Sequence, residues 1–209
     1  MSPHPDFDPA PTAQPGLFGT GPQVLADDER GRIVYLPVFL AAAPAWHSFE
    51  QLLADVPWQS ERRQMYEREV AVPRLMASYA LDGELPLPLS QLARQVLEQV
   101  GAPFSHVGLN LYRDGRDSVA PHNDHLYELQ PGQPIALLSL GATRDMVIST
   151  KAQPRHSLRL PLEAGSLLLM SHATQLHYDH GIPKLRGTVG PRISLAFRVR
   201  AAGMRQGRY

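Results

Sequence analysis

The residues best suited to chemistry lie in Pro121-His122-Asn123-Asp124-His125, read together with His180 far downstream. If residues 119 to 124 are extended, His122 and Asp124 face the same side, because side chains alternate along a strand. An imidazole and a carboxylate side by side fill two adjacent positions of a metal octahedron. A second imidazole from a distant strand completes one face and leaves the other open, a donor set suited to Fe(II) working with a co-substrate and dioxygen. With nine histidines in the chain, one His-x-Asp triplet is weak evidence by itself, and the neighbouring segments must supply the rest.

Two such segments are placed to bind a small dicarboxylate. In Arg192-Ile193-Ser194-Leu195-Ala196-Phe197-Arg198-Val199, Ile193, Leu195, Phe197 and Val199 share one face, and Arg192, Ser194, Ala196 and Arg198 share the other. The two guanidiniums start about 20 Å apart at ~3.3 Å per residue, with small residues between them. Inward-bending arginines would close that slot on an acid, since guanidinium binds carboxylate bidentately and stays charged when buried. A polar face turned to solvent gives the same alternation. Asn110 and Tyr112 likewise share a face opposite Leu109 and Leu111, offering an amide and a phenol as donors. Ordinary burial in a β-core would also account for them.

The elements that must hold these residues follow from periodicity. Arg32 to Leu36 reads as a first strand. Trp46, Phe49, Leu52, Leu53 and Val56 have the spacing of an amphipathic helix stopped by Pro57. Residues 58–79 read as short extended pieces broken by charges of both signs. Ser90 is expected to cap a helix from Gln91 to about Val100, ended by Gly101. Beyond it, 106–112, 135–140, 146–150, 157–160, 166–170 and 192–200 all read as strands punctuated by Gly and Pro. Many strands after two helices predict an α+β domain with a β-sandwich or jelly-roll second half. Residues 1–30, rich in Pro and Gly at the start, are expected to form an irregular leader, with a single domain from 31 to 209.

Bulk composition narrows the classes. The chain has 209 residues, 43% hydrophobic and 19% charged, which is enough for one globular domain with a sizeable core. No cysteine is present, so thiolate catalysis and disulfides are excluded. No segment reaches membrane-spanning length and no signal-like start is seen, so a cytoplasmic monomer with no membrane partner is expected. The formal net charge is zero, which argues against an overall basic nucleic-acid coat. Charge is uneven, however. Residues 184–209 carry Lys184, Arg186, Arg192, Arg198, Arg200, Arg205 and Arg208 with no acid. They read equally as a phosphate contact or as a solvated tail.

Several further pieces accompany these in a fixed order: Pro73-Arg74-Leu75 with Tyr79, Asn110-Leu111-Tyr112-Arg113-Asp114-Gly115, His122-Asn123-Asp124, Pro134-Ile135-Ala136, Ser139-Leu140-Gly141-Ala142-Thr143-Arg144, Gly165 to Met170, His180-Gly181-Ile182-Pro183 and Arg192 to Arg198. In combination the chain resembles the AlkB-like branch of the Fe(II)/2-oxoglutarate-dependent dioxygenases, which oxidatively dealkylate nucleic-acid bases. The resemblance runs from about Val34 to Arg200. It implies a double-stranded β-helix with the site inside, Fe(II) held by His122, Asp124 and His180, and 2-oxoglutarate and dioxygen as co-substrates. By the same resemblance, Arg192 and Tyr112 hold the distal carboxylate of 2-oxoglutarate, and Arg198 and Asn110 hold the carboxylate next to the metal. Ser194 stands where the family commonly has an Asn that contacts the co-substrate, and it still offers a hydroxyl.

The implied substrate is a methylated base of the 1-methyladenine or 3-methylcytosine type in DNA, or alternatively in RNA. The segment 58–79 matches the family's substrate lid. Tyr66 and Tyr79 are candidates for base stacking and Arg62, Arg63 and Arg74 for phosphates, against ordinary packing for the rings and self-paired charges for Arg62 and Arg63. Leu126 takes the position, two residues after the metal-binding Asp, where the family usually has an acid near the base. His125 and His177 are read as structural or supporting residues. The other readings are an oxygenase acting on RNA, protein or a small molecule, and a jelly-roll module that binds metal or nucleic acid without turnover.

Overall fold

The computed structural model describes residues 21–65 and 68–201, with side chains from 63 to 71 outside the description. Two β-sheets face each other. The larger contains eight strands in the order β1-β2-β10-β7-β12-β5-β4-β3, and the smaller four in the order β6-β11-β8-β9. In chain order these are β1 Gln23–Asp28, β2 Gly31–Leu36, β3 Gln59–Met65, β4 Arg68–Ala80, β5 His106–Tyr112, β6 Val119–His122, β7 Ile135–Gly141, β8 Arg144–Thr150, β9 Ser157–Leu162, β10 Leu167–Met170, β11 Tyr178–Ile182 and β12 Arg192–Arg198. Helices α1 (Ala42–Asp55) and α2 (Leu87–Val100) precede β5, and a short α3 (Thr174–His177) precedes β11. The double-stranded β-helix is therefore present, with two long helices on one sheet.

Side-chain alternation sorts the large sheet into two cores. Leu109, Leu111, Leu138, Leu140, Ile193, Leu195 and Phe197 pack outward against Phe49 and Leu52 of α1 and Leu92 and Val96 of α2. Tyr112, Leu137 and Ala196 face inward, where they meet Met146, Ile148 and Ile182 of the small sheet. Both faces of β10 are thus covered, and Leu167 to Met170 are all buried. A doubly covered strand reads as a continuous apolar run rather than an alternating one. The inward face of β5 and β12 is the one that carries Asn110, Tyr112, Arg192 and Ser194.

The structure departs from the sequence expectations in four places. Gln23–Asp28 is a strand paired antiparallel with β2, where an irregular leader to residue 30 is expected. It gains order from the ladder bonds of β2, while its outer positions stay exposed and hide the strand pattern. Helix α2 begins at Leu87, and Ser90 lies within it, its hydroxyl donating to the Leu87 carbonyl at 2.9 Å. Pro88 sits in the first turn, where a missing N–H costs nothing. Gly101 does end the helix, in the left-handed region at φ 69° with its N–H on the Leu97 carbonyl. β3 and β4 pair antiparallel along their length rather than forming scattered pieces. Lastly, Arg192 of the basic C-terminal run is 1% exposed and points inward, so the run is not one surface patch; Arg205 and Arg208 lie outside the described residues. Among the described residues, no helix is long and apolar enough to cross a membrane.

Candidate active site

Strands β6 and β11 pair antiparallel with His122 directly opposite His180. The rings meet at a centroid separation of 4.6 Å. Asp124 follows β6 by two residues, and ligand atoms of His122, Asp124 and His180 all lie within 4.8 Å of one another. Glycine makes this pairing possible. A Cβ at Gly181 would meet the Val119 carbonyl oxygen at 2.9 Å and the Pro121 nitrogen at 3.0 Å, so only Gly lets the two backbones come this close.

The three groups are prepared for a cation. His122 Nδ1 lies 2.9 Å from the Ala120 carbonyl, which can only accept, so Nδ1 carries the proton and Nε2 presents its lone pair. Burial would raise the Asp124 carboxyl, but the Arg198 charge and hydrogen bonds, with smaller help from His180 and His122, bring it down to about 2. Burial pushes the His180 imidazole down to about 4 against the pull of Asp124. At neutral pH the site thus offers the Asp124 carboxylate and a neutral His180 imidazole, the forms a divalent metal requires.

Two partners fix Asp124. Arg198 forks onto it, Nε to Oδ2 at 2.8 Å and Nη2 to Oδ1 at 3.0 Å. The Asp124 backbone N–H donates to Gln175 Oε1 at 2.9 Å. Gln175, from α3, is itself 1% exposed, and its Nε2 donates to Thr174 Oγ1 at 3.1 Å. Lys151 Nζ donates both to the Gln175 carbonyl and to Asn123 Oδ1, each at 2.8 Å. Sequence reasoning finds neither Gln175 nor Lys151, because a polar residue in a loop carries no signal that it will be buried.

Across the large sheet, register lines up the expected co-substrate residues in two rows. Tyr112, Arg192 and Gly141 form one; Asn110, Ser194 and Ser139 form the next. Arg192 Nη2 donates to Ser139 Oγ at 2.8 Å, and its guanidinium lies 5.3 Å from the Tyr112 ring centroid. Its Nε and Nη1 are buried without a hydrogen-bond partner among the described residues. Burial brings this guanidinium down to about 10. Arg144, also 1% exposed, approaches the Tyr112 ring at 5.7 Å. It spends its Nη atoms on the Asp114, Asp117 and Pro183 carbonyls. No carboxylate among the described residues bonds to either arginine. Two buried cations with donors to spare fit an incoming carboxylate, as removing charge from water without a partner is costly. Sequence reasoning places Arg144 in a motif but assigns it no role.

The substrate candidates fare differently. Arg74 donates its Nε to Asn110 Oδ1 at 2.7 Å, which places its guanidinium beside the Asn110–Ser194–Ser139 row. Tyr79 pairs with Val107 in the β4–β5 ladder and packs against the helix-side core. It lies on the face opposite Asn110, where the packing expected as the alternative to base stacking is what the ring does. Tyr66 lies outside the described residues, as does the Arg63 side chain. Leu126 begins a 3₁₀ turn, Leu126–Glu128, two residues past Asp124. His125 and His177 are exposed and outside the converging group.

Comparison with known proteins agrees with this geometry. The model of the 2OG-Fe(II) oxygenase superfamily matches residues 32–198. Human DNA oxidative demethylase ALKBH2 is 35% identical over 185 residues, covering 77% of this chain and 70% of that protein. The mouse protein of the same name is 35% identical over 184 residues, 77% of each. The bovine alpha-ketoglutarate-dependent dioxygenase alkB homolog 3 is 34% identical over 80% of this chain, which spans 66% of that protein, just short of two thirds. Among solved structures, the non-heme alpha ketoglutarate dependent epimerase SnoN from nogalamycin biosynthesis shares the fold, with a TM-score of 0.56 over 84% of this chain and 83% of its own at 16% identity.

Proposed function

The chain belongs to the 2OG-Fe(II) oxygenase superfamily, in its AlkB-like branch, and on that premise we propose that it oxidatively demethylates alkylated bases in DNA, releasing formaldehyde and succinate. As a member of the superfamily it is an enzyme that uses Fe(II), 2-oxoglutarate and dioxygen. The observation that carries the reading is the convergence of His122, Asp124 and His180 in a chain 35% identical to a DNA oxidative demethylase. The intended bases are those of the 1-methyladenine and 3-methylcytosine type. The reading includes a monomer that repairs DNA in the cytoplasm.

In this reading, His122, Asp124 and His180 hold the metal. Arg192 and Tyr112 receive the distal carboxylate of 2-oxoglutarate, with Arg144 adding positive potential from behind the ring. Asn110 and Arg198 receive the carboxylate nearer the metal, Ser194 lends a hydroxyl between the arginines, and Arg198 keeps Asp124 oriented throughout. When bound, iron, keto acid and dioxygen supply the oxidising chemistry that hydroxylates an N-methyl carbon. The hydroxymethylated base then loses formaldehyde, leaving the unmethylated base in its strand. The protein's share is to position the methyl group, exclude water and neutralise the carboxylates. A base inside a duplex is out of reach, so the substrate is single-stranded or has its base flipped at a cost of a few kcal/mol.

The test is formaldehyde release from DNA and RNA oligonucleotides carrying 1-methyladenine or 3-methylcytosine. Release should require Fe(II) and 2-oxoglutarate and vanish in His122→Ala and Asp124→Ala. Consumption of 2-oxoglutarate without formaldehyde from any of them would point instead to an oxygenase of protein or small molecules. Leu126, two residues past Asp124, stands where the family usually has an acid near the base. Leu126→Asp should therefore change the ratio of activities on the two bases several-fold while leaving the KM for 2-oxoglutarate in place. Equal effects on both would count against a role at the base.

A further inference from the structure

The turn that follows the metal-binding segment presents a pair of rings to solvent. His125 and Tyr127 stack with centroids 5.3 Å apart and planes 26° apart. Tyr127 is 67% exposed, and His125 is exposed as well. Tyr127 lies three steps along the chain from Asp124, so their Cα atoms are at most about 11 Å apart at 3.8 Å per step.

The turn is held firmly. Glu128 N–H donates to the His125 carbonyl at 2.9 Å and Leu129 N–H to the Leu126 carbonyl at 3.2 Å. The segment just after β12 braces it from the other side: Gln130 N–H donates to the Val199 carbonyl at 2.8 Å, and Ala201 N–H to the Glu128 carbonyl at 3.0 Å. Leu129 is 4% exposed and anchors the turn in the core between the sheets. Only Leu129 of this stretch serves the core. The rings contribute little to folding, yet they are fixed face to face beside the metal ligands. Every base has a π face that can lie on such a surface whatever its sequence. Glu128 follows Tyr127 directly, and its charge disfavours a phosphate here, so the contact is through a base and not the backbone.

We propose that the His125–Tyr127 pair is a stacking platform for an unpaired base that neighbours the reacting base in a single strand. This rests on the nucleic-acid reading given above. It assigns to these two residues the grip on the flanking nucleotide.

The experiment compares two oligonucleotides with a central 1-methyladenine, one flanked by thymines and one by abasic sugars. With the unaltered protein, removing the flanking bases should raise KM by about 5- to 150-fold, the range for loss of one base–aromatic stack. In Tyr127→Ala that ratio should fall towards one, whereas Tyr127→Phe, which keeps the ring, should preserve it. A ratio near one for the unaltered protein, or an unchanged ratio in Tyr127→Ala, overturns the platform while leaving demethylation intact. If the unaltered protein releases no formaldehyde from any methylated strand, the function reading fails, and fluorescence anisotropy with a labelled, unmethylated thymidine oligomer decides the platform separately. Weaker binding by Tyr127→Ala in that assay supports it; equal or no binding overturns it.

Discussion

Arg192 is a buried cation whose Nε and Nη1 have no partner among the described residues, an arrangement that costs stability until an anion arrives. Replacing it with an apolar side chain of similar length should relieve that cost. Arg192→Met is therefore expected to raise the melting temperature of the ligand-free protein by a few degrees while abolishing 2-oxoglutarate-dependent succinate formation. A fall in both would mean that the guanidinium is structural. Gln175 presents the opposite case. Gln175→Leu removes the acceptor for the Asp124 N–H and should weaken metal affinity by about 10- to 100-fold, the usual effect of losing a residue that orients a ligand. Titration with Mn(II) followed by EPR measures this without turnover, and unaltered affinity would refute the role.

The β6–β11 pair does at the level of elements what those residues do singly. A side chain at Gly181 must push β6 away from β11, separating His122 from His180. Gly181→Ala should thus lower metal affinity tenfold or more with a smaller loss of thermal stability, measured by the same titration alongside calorimetry. How far these elements can be read from sequence depends on what each one faces. β5 and β12 are legible because Asn110, Tyr112, Arg192 and Ser194 alternate cleanly with Leu109, Leu111, Ile193 and Leu195. β1 is not, because only Leu25 and Ala26 reach the core between the sheets, and its exposed flanking residues read as a polar loop. The early start of α2 is hidden by Pro86 and Pro88, which mark a loop and a first helical turn equally well. The metal ligands declare themselves through residue type, whereas Gln175, Lys151 and Arg144 act through backbone carbonyls and amides that only the folded chain brings near. Tyr79 shows the converse. An aromatic in the right segment still needs the right strand parity, and one position decides whether it faces the site or the helices.

Taken as a whole, the molecule is tuned to be stable near neutral pH. In the metal-free protein, His180 is held at about 4 instead of its ordinary 6.5, so between those values the unfolded chain binds a proton that the fold refuses. Stability then falls as pH drops from about 6.5 to about 4. Asp124 acts lower: its contribution is present above 3.8 and is lost as pH falls towards about 2. Melting temperature should decline across the upper window, and His180→Gln should flatten that part of the curve. A decline unchanged in His180→Gln would assign the effect to another group.

The two sheets divide the work between them. His122 and His180 belong to the small sheet; Asn110, Tyr112, Arg192 and Ser194 belong to the large one. Metal and keto acid bound together would act as a rivet through both layers, tightening the sandwich beyond what either does alone, since whatever binds only the folded form raises its stability. A melting temperature that climbs more with both than the two separate increments combined would demonstrate this. The enzyme's endurance, and not merely its rate, would then follow the supply of iron and co-substrate.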